Sequence, residues 1–333
     1  RAQGLGEAEV PGAPALPALP LQPPSFRGMT VLLILGPTAV GKTRVAAYVA
    51  ERVGAEVISA DARTIFQDLV VGADRPPPEI LARVPHHLVG VLPAEARYDA
   101  ARFRADCERL VGEILARGKR AVIVGGSTLY IRALTRGLFP GPSADPQIRA
   151  ELERLSTDAL REELLRVDPE SARRIHPRDR VRLIRALEVF RLTGRPISAQ
   201  WGSEKPFPWP LVKVGLICSR EELHRRIEAR VERMFQEGLV EEARRLWERN
   251  LPADAPILRT IGYRELFGFF RGEYDLETAK KLIVRRTKDY ARRQLAFFRA
   301  EKDVHWLDVT GKTPEEVGAE VLALWREHDP RLQ

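Results

Sequence analysis

The sequence has few cysteines and no long hydrophobic run. Cys107 and Cys218 are its two cysteines in 333 residues, which excludes a disulfide-stapled scaffold and a zinc site built from cysteines. Because this scarcity suits a reducing compartment, we expect a cytoplasmic location. No apolar stretch is long enough to span a bilayer, so we expect no membrane partner. The overall composition, 44% hydrophobic and 30% charged, is typical of a globular protein.

Acidic residues are outnumbered by basic ones. The formal net charge is +8, which favours an anionic partner such as nucleic acid or a phosphorylated metabolite. Arginines concentrate in residues 173–195, and a second basic stretch covers residues 280–299. Arg178, Arg182 and Arg185 have helical spacing and would share one face, which suits an RNA backbone, although a solvated charged face is the commoner outcome.

Residues 36–43 read Gly-Pro-Thr-Ala-Val-Gly-Lys-Thr and fit the pattern G-x-x-x-x-G-K-[ST] of a phosphate-binding P-loop. An apolar run precedes them and a helical pattern follows, which is the context that this motif requires. Glycines let the backbone approach phosphate oxygens, and the N–H groups at a helix N-terminus bind the anion. Lys42 adds a positive charge, and the Thr43 hydroxyl can ligate Mg²⁺. The motif predicts a polyphosphate site but does not specify the reaction.

Short apolar runs alternate with helical patterns along the chain. The runs are 31–35, 56–60, 121–124, 212–217 and 304–307. This alternation predicts an α/β fold, a P-loop NTPase-like parallel sheet flanked by helices. Ligands of such sheets bind at the carboxyl ends of the strands, where the P-loop, Asp61 and the Gly-Gly-Ser of residues 125–127 would meet.

Residues 141–208 have helical patterns without a strand signal. We interpret them as a helical insertion into a core formed by residues 29–140 and 209–325, which includes C-terminal helices. Residues 1–28 are rich in Ala, Pro and Gly, and we expect a disordered N-terminal extension. Because Met29 directly precedes the first strand, we expect it to be the natural start and the earlier residues to be dispensable for activity.

Polar residues near the predicted cleft allow more than one interpretation. Asp61 could hold Mg²⁺ through water or accept a proton from a nucleophile, but it could equally cap a turn or helix. Ser127 could face the cleft, although a helix N-cap is the stronger interpretation from its position alone. Arg292 and Arg293 with the phenylalanines at 297–298 could contact RNA phosphates and stack on bases, but such aromatic residues more often belong to the core.

Together these residues resemble the bacterial tRNA dimethylallyltransferases, also called tRNA adenosine-37 isopentenyltransferases. Nine segments carry the resemblance, in the family's order, between Val31 and about Asp308. They are GPTAVGKT (36–43), ISAD (58–61), PHHL (85–88), GGSTLY (125–130), SADPQIR (143–149), RALEVFRLTGRPIS (185–198), RIEAR (226–230), RTIGYRE (259–265) and RRQLAFFR (292–299). One such motif is weak evidence, whereas the ordered set is highly specific.

The resemblance implies transfer of the dimethylallyl group from dimethylallyl diphosphate to N6 of adenosine 37 in tRNA, which yields N6-isopentenyladenosine and diphosphate. It implies that the partners are this donor and the tRNA anticodon stem-loop, that Mg²⁺ is the cofactor, and that residues 141–208 bind tRNA. The P-loop would then hold a leaving group, and adenosine 37 would be flipped into a channel to reach it. We also expect a monomer.

The resemblance also assigns residues. The implied catalytic residues are Asp61, which accepts a hydrogen bond from the adenine amine, with Ser127 and Arg149. The diphosphate would be held by Gly36, Pro37, Thr38, Ala39, Val40, Gly41, Lys42, Thr43, Arg226 and Arg230, with Thr43 as the metal ligand. The tRNA would be contacted by Asp61, Ala62, Arg63, Thr64, Ser127, Arg149, Val181, Arg182, Arg185, Arg259, Thr260, Gly262, Tyr263, Arg264, Arg292, Arg293 and Gln294.

Several positions depart from the family's pattern. The family commonly has Ser at the position of Ala62, Gln at those of Thr64 and Val181, and Thr at those of Ala73 and Ser127. Ser127 keeps a hydroxyl group, whereas Ala62, Thr64 and Val181 lack polar groups that would contact the tRNA loop. These departures bear on tRNA preference and turnover more than on the type of reaction.

Two alternatives come from other functional classes. A P-loop small-molecule kinase that binds ATP would share the motif, Mg²⁺ and an acidic residue near Asp61, but it would not need the basic helical insertion. A non-catalytic RNA-binding relative would share the fold, but the presence of Lys42, Thr43, Asp61 and Arg230 argues against it.

Overall fold

The computed structural model describes residues 28–138, 141–142, 144–202, 205–252 and 255–332. The predicted disordered extension lies outside these residues, apart from Gly28, and so does Ser143 of the SADPQIR segment. Within the described part of the chain, no helix has the length and apolarity to cross a membrane.

The core of the fold is a six-stranded sheet with the order β3-β2-β4-β1-β5-β6. All neighbouring strands are parallel. The strands are β1 (Val31–Leu35), β2 (Ala55–Ala60), β3 (His86–His87), β4 (Arg120–Gly125), β5 (Leu211–Ile217) and β6 (Val304–Asp308). The predicted α/β class is confirmed. The prediction missed β3, because an edge strand of two residues is too short to produce an apolar run.

Helices cover both faces of the sheet. They are α1 (Lys42–Val53), α2 (Pro78–Arg83), α3 (Ala100–Ala116), α4 (Thr128–Thr135), α5 (Pro146–Arg154), α6 (Thr157–Val167), α7 (Pro169–Arg174), α8 (Arg180–Thr193), α9 (Arg220–Gln236), α10 (Leu239–Glu248), α11 (Tyr263–Phe270), α12 (Leu276–Phe298) and α13 (Pro314–His328). Alternate residues of β1 enter different apolar clusters, Leu33 on one face and Leu32 on the other. This two-sided burial explains the continuous apolar runs in the sequence.

Helices α5–α8 have a separate apolar cluster, which includes Leu152, Leu164 and Leu187. No strand lies among the described residues of 141–208, as expected for a helical insertion. The domain division itself stays a prediction. Arg178 was predicted to share a helical face with Arg182 and Arg185, and this is wrong. Asp179 caps α8 by accepting a hydrogen bond from the Arg182 N–H, so Arg178 lies before the helix.

The sheet order brings three strand ends together. Leu35 at the end of β1 pairs with Gly125 at the end of β4, and Gly125 pairs on its other side with Ala60 at the end of β2. The segments that leave these strands therefore lie side by side. They are the P-loop, the turn at Gly126 and Ser127, and the turn that begins at Asp61.

Candidate active site at the carboxyl ends of the strands

The P-loop connects β1 to the N-terminus of α1. Gly36 has φ +150°, and a Cβ atom there would lie 2.5 Å from the carbonyl oxygen of Leu216 on β5, so no side chain fits. Gly41 precedes α1 in a left-handed conformation with φ 102°, which favours glycine. The geometry leaves the N–H groups of the first helical turn open toward the loop, as an anion site requires.

Lys42 lies inside the loop. Its Nζ donates a hydrogen bond of 2.7 Å to the carbonyl oxygen of Pro37. Burial lowers the pKa of Lys42 to about 7; the Asp61 carboxylate opposes this shift, and the charges of Arg230 and Arg63 add to it. Burial therefore disfavours the charged form of Lys42, and an anion bound in the loop would favour it.

Diphosphate binding is expected to take up a proton and to weaken as the pH rises above about 7, because a bound anion favours charged Lys42. Since Lys42 loses its charge above its lowered pKa, affinity is lost in that range and is fully present below it. Calorimetry with inorganic diphosphate between about pH 6 and 9, in buffers of different ionisation enthalpy, measures both effects. Lys42→Arg keeps the charge and reveals the ligand's own titration. Equal pH dependence in both proteins would contradict the assignment.

Helix α9 contributes two arginines to the P-loop. Arg230 is 8% exposed, donates a 2.7 Å hydrogen bond to the Thr38 hydroxyl and pairs with Asp74 at 3.3 Å. Burial is the largest cause that lowers its pKa, so a bound anion would stabilise the charged form of this guanidinium. Arg226 donates a 3.1 Å hydrogen bond to the carbonyl oxygen of Val40. The structure thus brings both predicted diphosphate-binding arginines to the P-loop.

Asp61 directly follows β2. Its Oδ1 accepts the N–H of Arg63 at 2.8 Å, so the turn-capping alternative is part of its role. Burial raises the pKa of Asp61, but Arg63, through its charge and N–H group, and the charges of Lys42 and Arg230 outweigh burial and lower it overall. The carboxylate is therefore ionised at neutral pH and lies in the field of the P-loop cations.

Ser127 occupies the N-cap position of α4, but its side chain makes no capping hydrogen bond. Its Oγ instead accepts the N–H of Ala62 at 2.8 Å. The N-cap interpretation is therefore wrong for the hydroxyl group, which ties the β4 turn to the residue beside Asp61. Thr64 is buried, and its hydroxyl contacts Ser59, so it is not available to RNA in this conformation.

Two further predicted tRNA contacts are buried and cannot touch RNA directly in this conformation. Tyr263 is fully buried, and its hydroxyl donates to Glu242 at 2.6 Å. Gln294 is 2% exposed, and its amide joins the P-loop to the carbonyl oxygen of Gly126. Phe298 is also fully buried, so its interpretation as a base-stacking residue is wrong and the core alternative is correct.

Glu242 fixes the loop that brings Asp74 to Arg230. Its carboxylate accepts N–H groups of Val70, Val71 and Gly72 at 2.9 to 3.0 Å. Sequence reasoning missed both acidic residues, because a Glu on an amphipathic helix gives no sign of a partner about 170 residues away. The signal for this long-range contact exists only in the folded chain.

Glu242→Gln is expected to destabilise the protein by about 2 kcal/mol, because an amide cannot accept as many of these buried hydrogen bonds. The neighbouring Glu241 is exposed, and Glu241→Gln should change the free energy of unfolding by less than about 0.5 kcal/mol. Urea unfolding of both variants measures the difference. Equal effects of the two substitutions would contradict the role of Glu242.

The remaining predicted residues lie in three places. Arg149 and Arg185 both bind the buried carboxylate of Glu188, at 3.0 and 2.7 Å, and within the described residues their polar contacts stay in the helical segment. Val181 is 79% exposed, and Arg182 beside it is exposed as well. Arg259 and Thr260 precede α11, Gly262 and Arg264 lie at its start, and Arg292 and Arg293 are exposed on α12.

The described residues provide oxygen ligands for Mg²⁺ but no complete cage. They contain no group of three or more His, Cys, Asp or Glu side chains that could hold a metal ion. Thr43 opens the first turn of α1, and Asp61 lies across the same cleft. The Thr43 hydroxyl is a hard ligand, the Asp61 carboxylate could hold the ion through water, and Mg²⁺ characteristically takes one or two protein oxygens with phosphate oxygens and water. These residues therefore fit Mg²⁺ bound together with a diphosphate.

Known proteins resemble this chain in sequence and in fold. The family model IPP transferase matches residues 64–301. The tRNA dimethylallyltransferase 1 of Citrifermentans bemidjiense is 43% identical over 84% of this chain and 92% of its own length. The tRNA dimethylallyltransferase of Thermomicrobium roseum is 43% identical over 84% of this chain and 86% of its own length. The crystal structure of the tRNA isopentenylpyrophosphate transferase of Bacillus halodurans has a TM-score of 0.67 and 33% identity, and the alignment covers 91% of this chain and 98% of that one. The chain therefore belongs to the tRNA dimethylallyltransferase (IPP transferase) family.

Proposed function

We propose that this protein transfers the dimethylallyl group of dimethylallyl diphosphate to N6 of adenosine 37 in tRNA and releases diphosphate. The observation that carries the proposal is the shared cleft, in which the cations Lys42 and Arg230 lie close enough to Asp61 to lower its pKa. A donor anion and an acceptor amine can therefore be held side by side.

On the donor side, the carbon–oxygen bond breaks and its electron pair leaves with the diphosphate. Lys42, Arg226, Arg230 and the N–H groups of the P-loop hold this anion and stabilise the charge that grows on it. Mg²⁺ held at Thr43 would supply further positive charge. The diphosphate is released intact, so no phosphoryl group is transferred.

On the acceptor side, N6 forms the new bond to carbon and loses a proton. The adenine amine is a poor nucleophile because its lone pair is delocalised into the ring. Asp61, ionised in the resting site, accepts a hydrogen bond from the amine and takes its proton as the bond forms. Diphosphate binding neutralises nearby cations, which raises the pKa of Asp61 and makes it a stronger base when the donor is present.

On the RNA side, exposed basic residues of the helical segment and α12 are proposed to hold the anticodon stem-loop. Arg182, Arg292 and Arg293 are exposed. Their charged side chains suit contacts with RNA phosphates and recognition of the loop by its shape. Adenosine 37 must leave its stack to enter the cleft, at a cost of about a few kcal/mol. A cytoplasmic location and a monomeric state stay predictions.

The test is a modification assay. The protein is incubated with Mg²⁺, dimethylallyl diphosphate and unmodified tRNA that carries A36-A37-A38, and the RNA is digested to nucleosides for mass spectrometry. N6-isopentenyladenosine is the expected product. Absence of this nucleoside from every tRNA in a mixed pool would contradict the proposal, and ADP formation with ATP and a small acceptor would favour a kinase.

A further inference from the structure

The side-chain amide of Gln294 lies between two loops of the site. Gln294 is on the buried side of α12 and is 2% exposed. Its Oε1 accepts the N–H of Thr38 at 2.9 Å, and its Nε2 donates to the carbonyl oxygen of Gly126 at 2.7 Å. An uncharged amide can accept at one end and donate at the other, whereas a carboxylate can only accept.

The two hydrogen bonds of the amide lead to opposite sides of the cleft, the proposed donor side and the proposed acceptor side. Thr38 belongs to the P-loop, and its hydroxyl accepts the hydrogen bond of Arg230 at 2.7 Å, so this end is the donor side. Gly126 precedes Ser127, whose hydroxyl accepts the N–H of the residue after Asp61 at 2.8 Å. The second end therefore continues to the acceptor side.

The space around the amide is closed. A Cβ atom on Gly126 would lie 2.5 Å from Nε2 of Gln294 and 3.2 Å from the carbonyl oxygen of Gly36. The absence of a side chain at Gly126 thus lets the amide approach both loops. The fit therefore depends on both residues, the amide of Gln294 and the missing side chain of Gly126.

We propose that Gln294 is a positioning residue that sets the relative placement of the diphosphate and the carboxylate of Asp61, in place of the predicted contact with tRNA. The inference rests on the proposed function. A displacement of reacting groups by about 1 Å can cost about 100-fold in rate. Loss of the amide should therefore lower kcat more than it changes the binding of either substrate.

The first experiment compares Gln294→Leu with the wild-type protein. We expect kcat for prenyl transfer to fall by about 100-fold, while the Kd for tRNA changes by less than about threefold because the side chain is buried. The control is Gln236→Leu, at an exposed glutamine on α9, which should leave kcat unchanged. An unchanged kcat would overturn the proposal, whether or not the affinity for tRNA weakens.

The second experiment tests whether the amide lies beside the bound diphosphate. Gln294→Glu can still accept the Thr38 N–H, but it cannot donate to Gly126 and places a negative charge beside the P-loop. Inorganic diphosphate should bind about tenfold more weakly to Gln294→Glu than to Gln294→Leu. This binding needs no prenyl transfer, so failure of the proposed function and failure of the positioning role are distinguishable. Equal affinities of the two variants for diphosphate would overturn the assignment of Gln294 as a positioning residue.

The third experiment is a double-mutant cycle that also serves if Gln294→Leu does not fold. Gly126→Ala should displace the amide and lower kcat in the wild-type background. With Gln294→Ala the space is already open, so adding Gly126→Ala should lower kcat by less than about threefold. Effects that multiply in the double variant would show that the two residues act independently and would overturn the proposal.

Discussion

Asp61→Asn should lower kcat for prenyl transfer by about 100- to 10,000-fold, the range for loss of a general base. Asparagine keeps an oxygen that can accept the Arg63 N–H, so the turn should persist, but an amide cannot take the proton of the adenine amine. Lys42 and Arg230 remain in place without the nearby negative charge, so diphosphate should bind at least as tightly as in the wild-type protein.

Steady-state kinetics of the variant, with calorimetry of diphosphate binding, test this prediction. The control is Glu327→Gln, at an exposed carboxylate on α13 far along the chain from the site, which should leave kcat unchanged. Asp61→Glu should recover only part of the activity, because the carboxylate moves by one methylene group. Asp61→Asn with activity near that of the wild-type protein would rule out this carboxylate as the base.

Arg230→Met is expected to lower kcat/KM for the donor by about 100- to 1,000-fold, the cost of removing one group that stabilises developing charge. The lost guanidinium is buried and donates to Thr38, and burial lowers its pKa, so methionine removes positive charge where the diphosphate would lie. Arg230→Lys should recover little, because a lysine cannot keep both the Thr38 and Asp74 contacts.

Arg233 provides a matched control on the same helix. It also pairs with Asp74, at 2.9 Å, but its side chain is half exposed. Arg233→Met should therefore change kcat/KM by only a small factor. If both substitutions had the same effect, the loss would come from the freed Asp74 carboxylate and not from a missing contact to the diphosphate.

The position of the cleft could be predicted from the sequence because it lies at strand ends. A parallel sheet brings the residues after β1, β2 and β4 together whatever the rest of the chain does, so the P-loop, Asp61 and Ser127 were placed correctly. The family motifs added Arg226 and Arg230, for which neither periodicity nor spacing alone indicates a ligand.

Side-chain direction could not be predicted in the same way. The motif RRQLAFFR suggested RNA contacts of Arg292, Arg293 and Gln294, yet α12 turns the two arginines outward and buries Gln294 between two loops. The motif RTIGYRE similarly contains Tyr263, whose hydroxyl is held by Glu242 in the core. Such contacts depend on partners far away in the sequence, and a local pattern contains no information about them.

The most direct test of the central claim is the fate of a doubly labelled donor. Dimethylallyl diphosphate with ¹⁴C in the prenyl group and ³²P in the diphosphate is incubated with the protein, Mg²⁺ and unmodified tRNA. A P-loop that holds a leaving group predicts ¹⁴C on adenosine 37 and an equal amount of ³²P in free inorganic diphosphate. Transfer of ³²P to RNA, or release of ³²P without ¹⁴C in the RNA, would contradict the account.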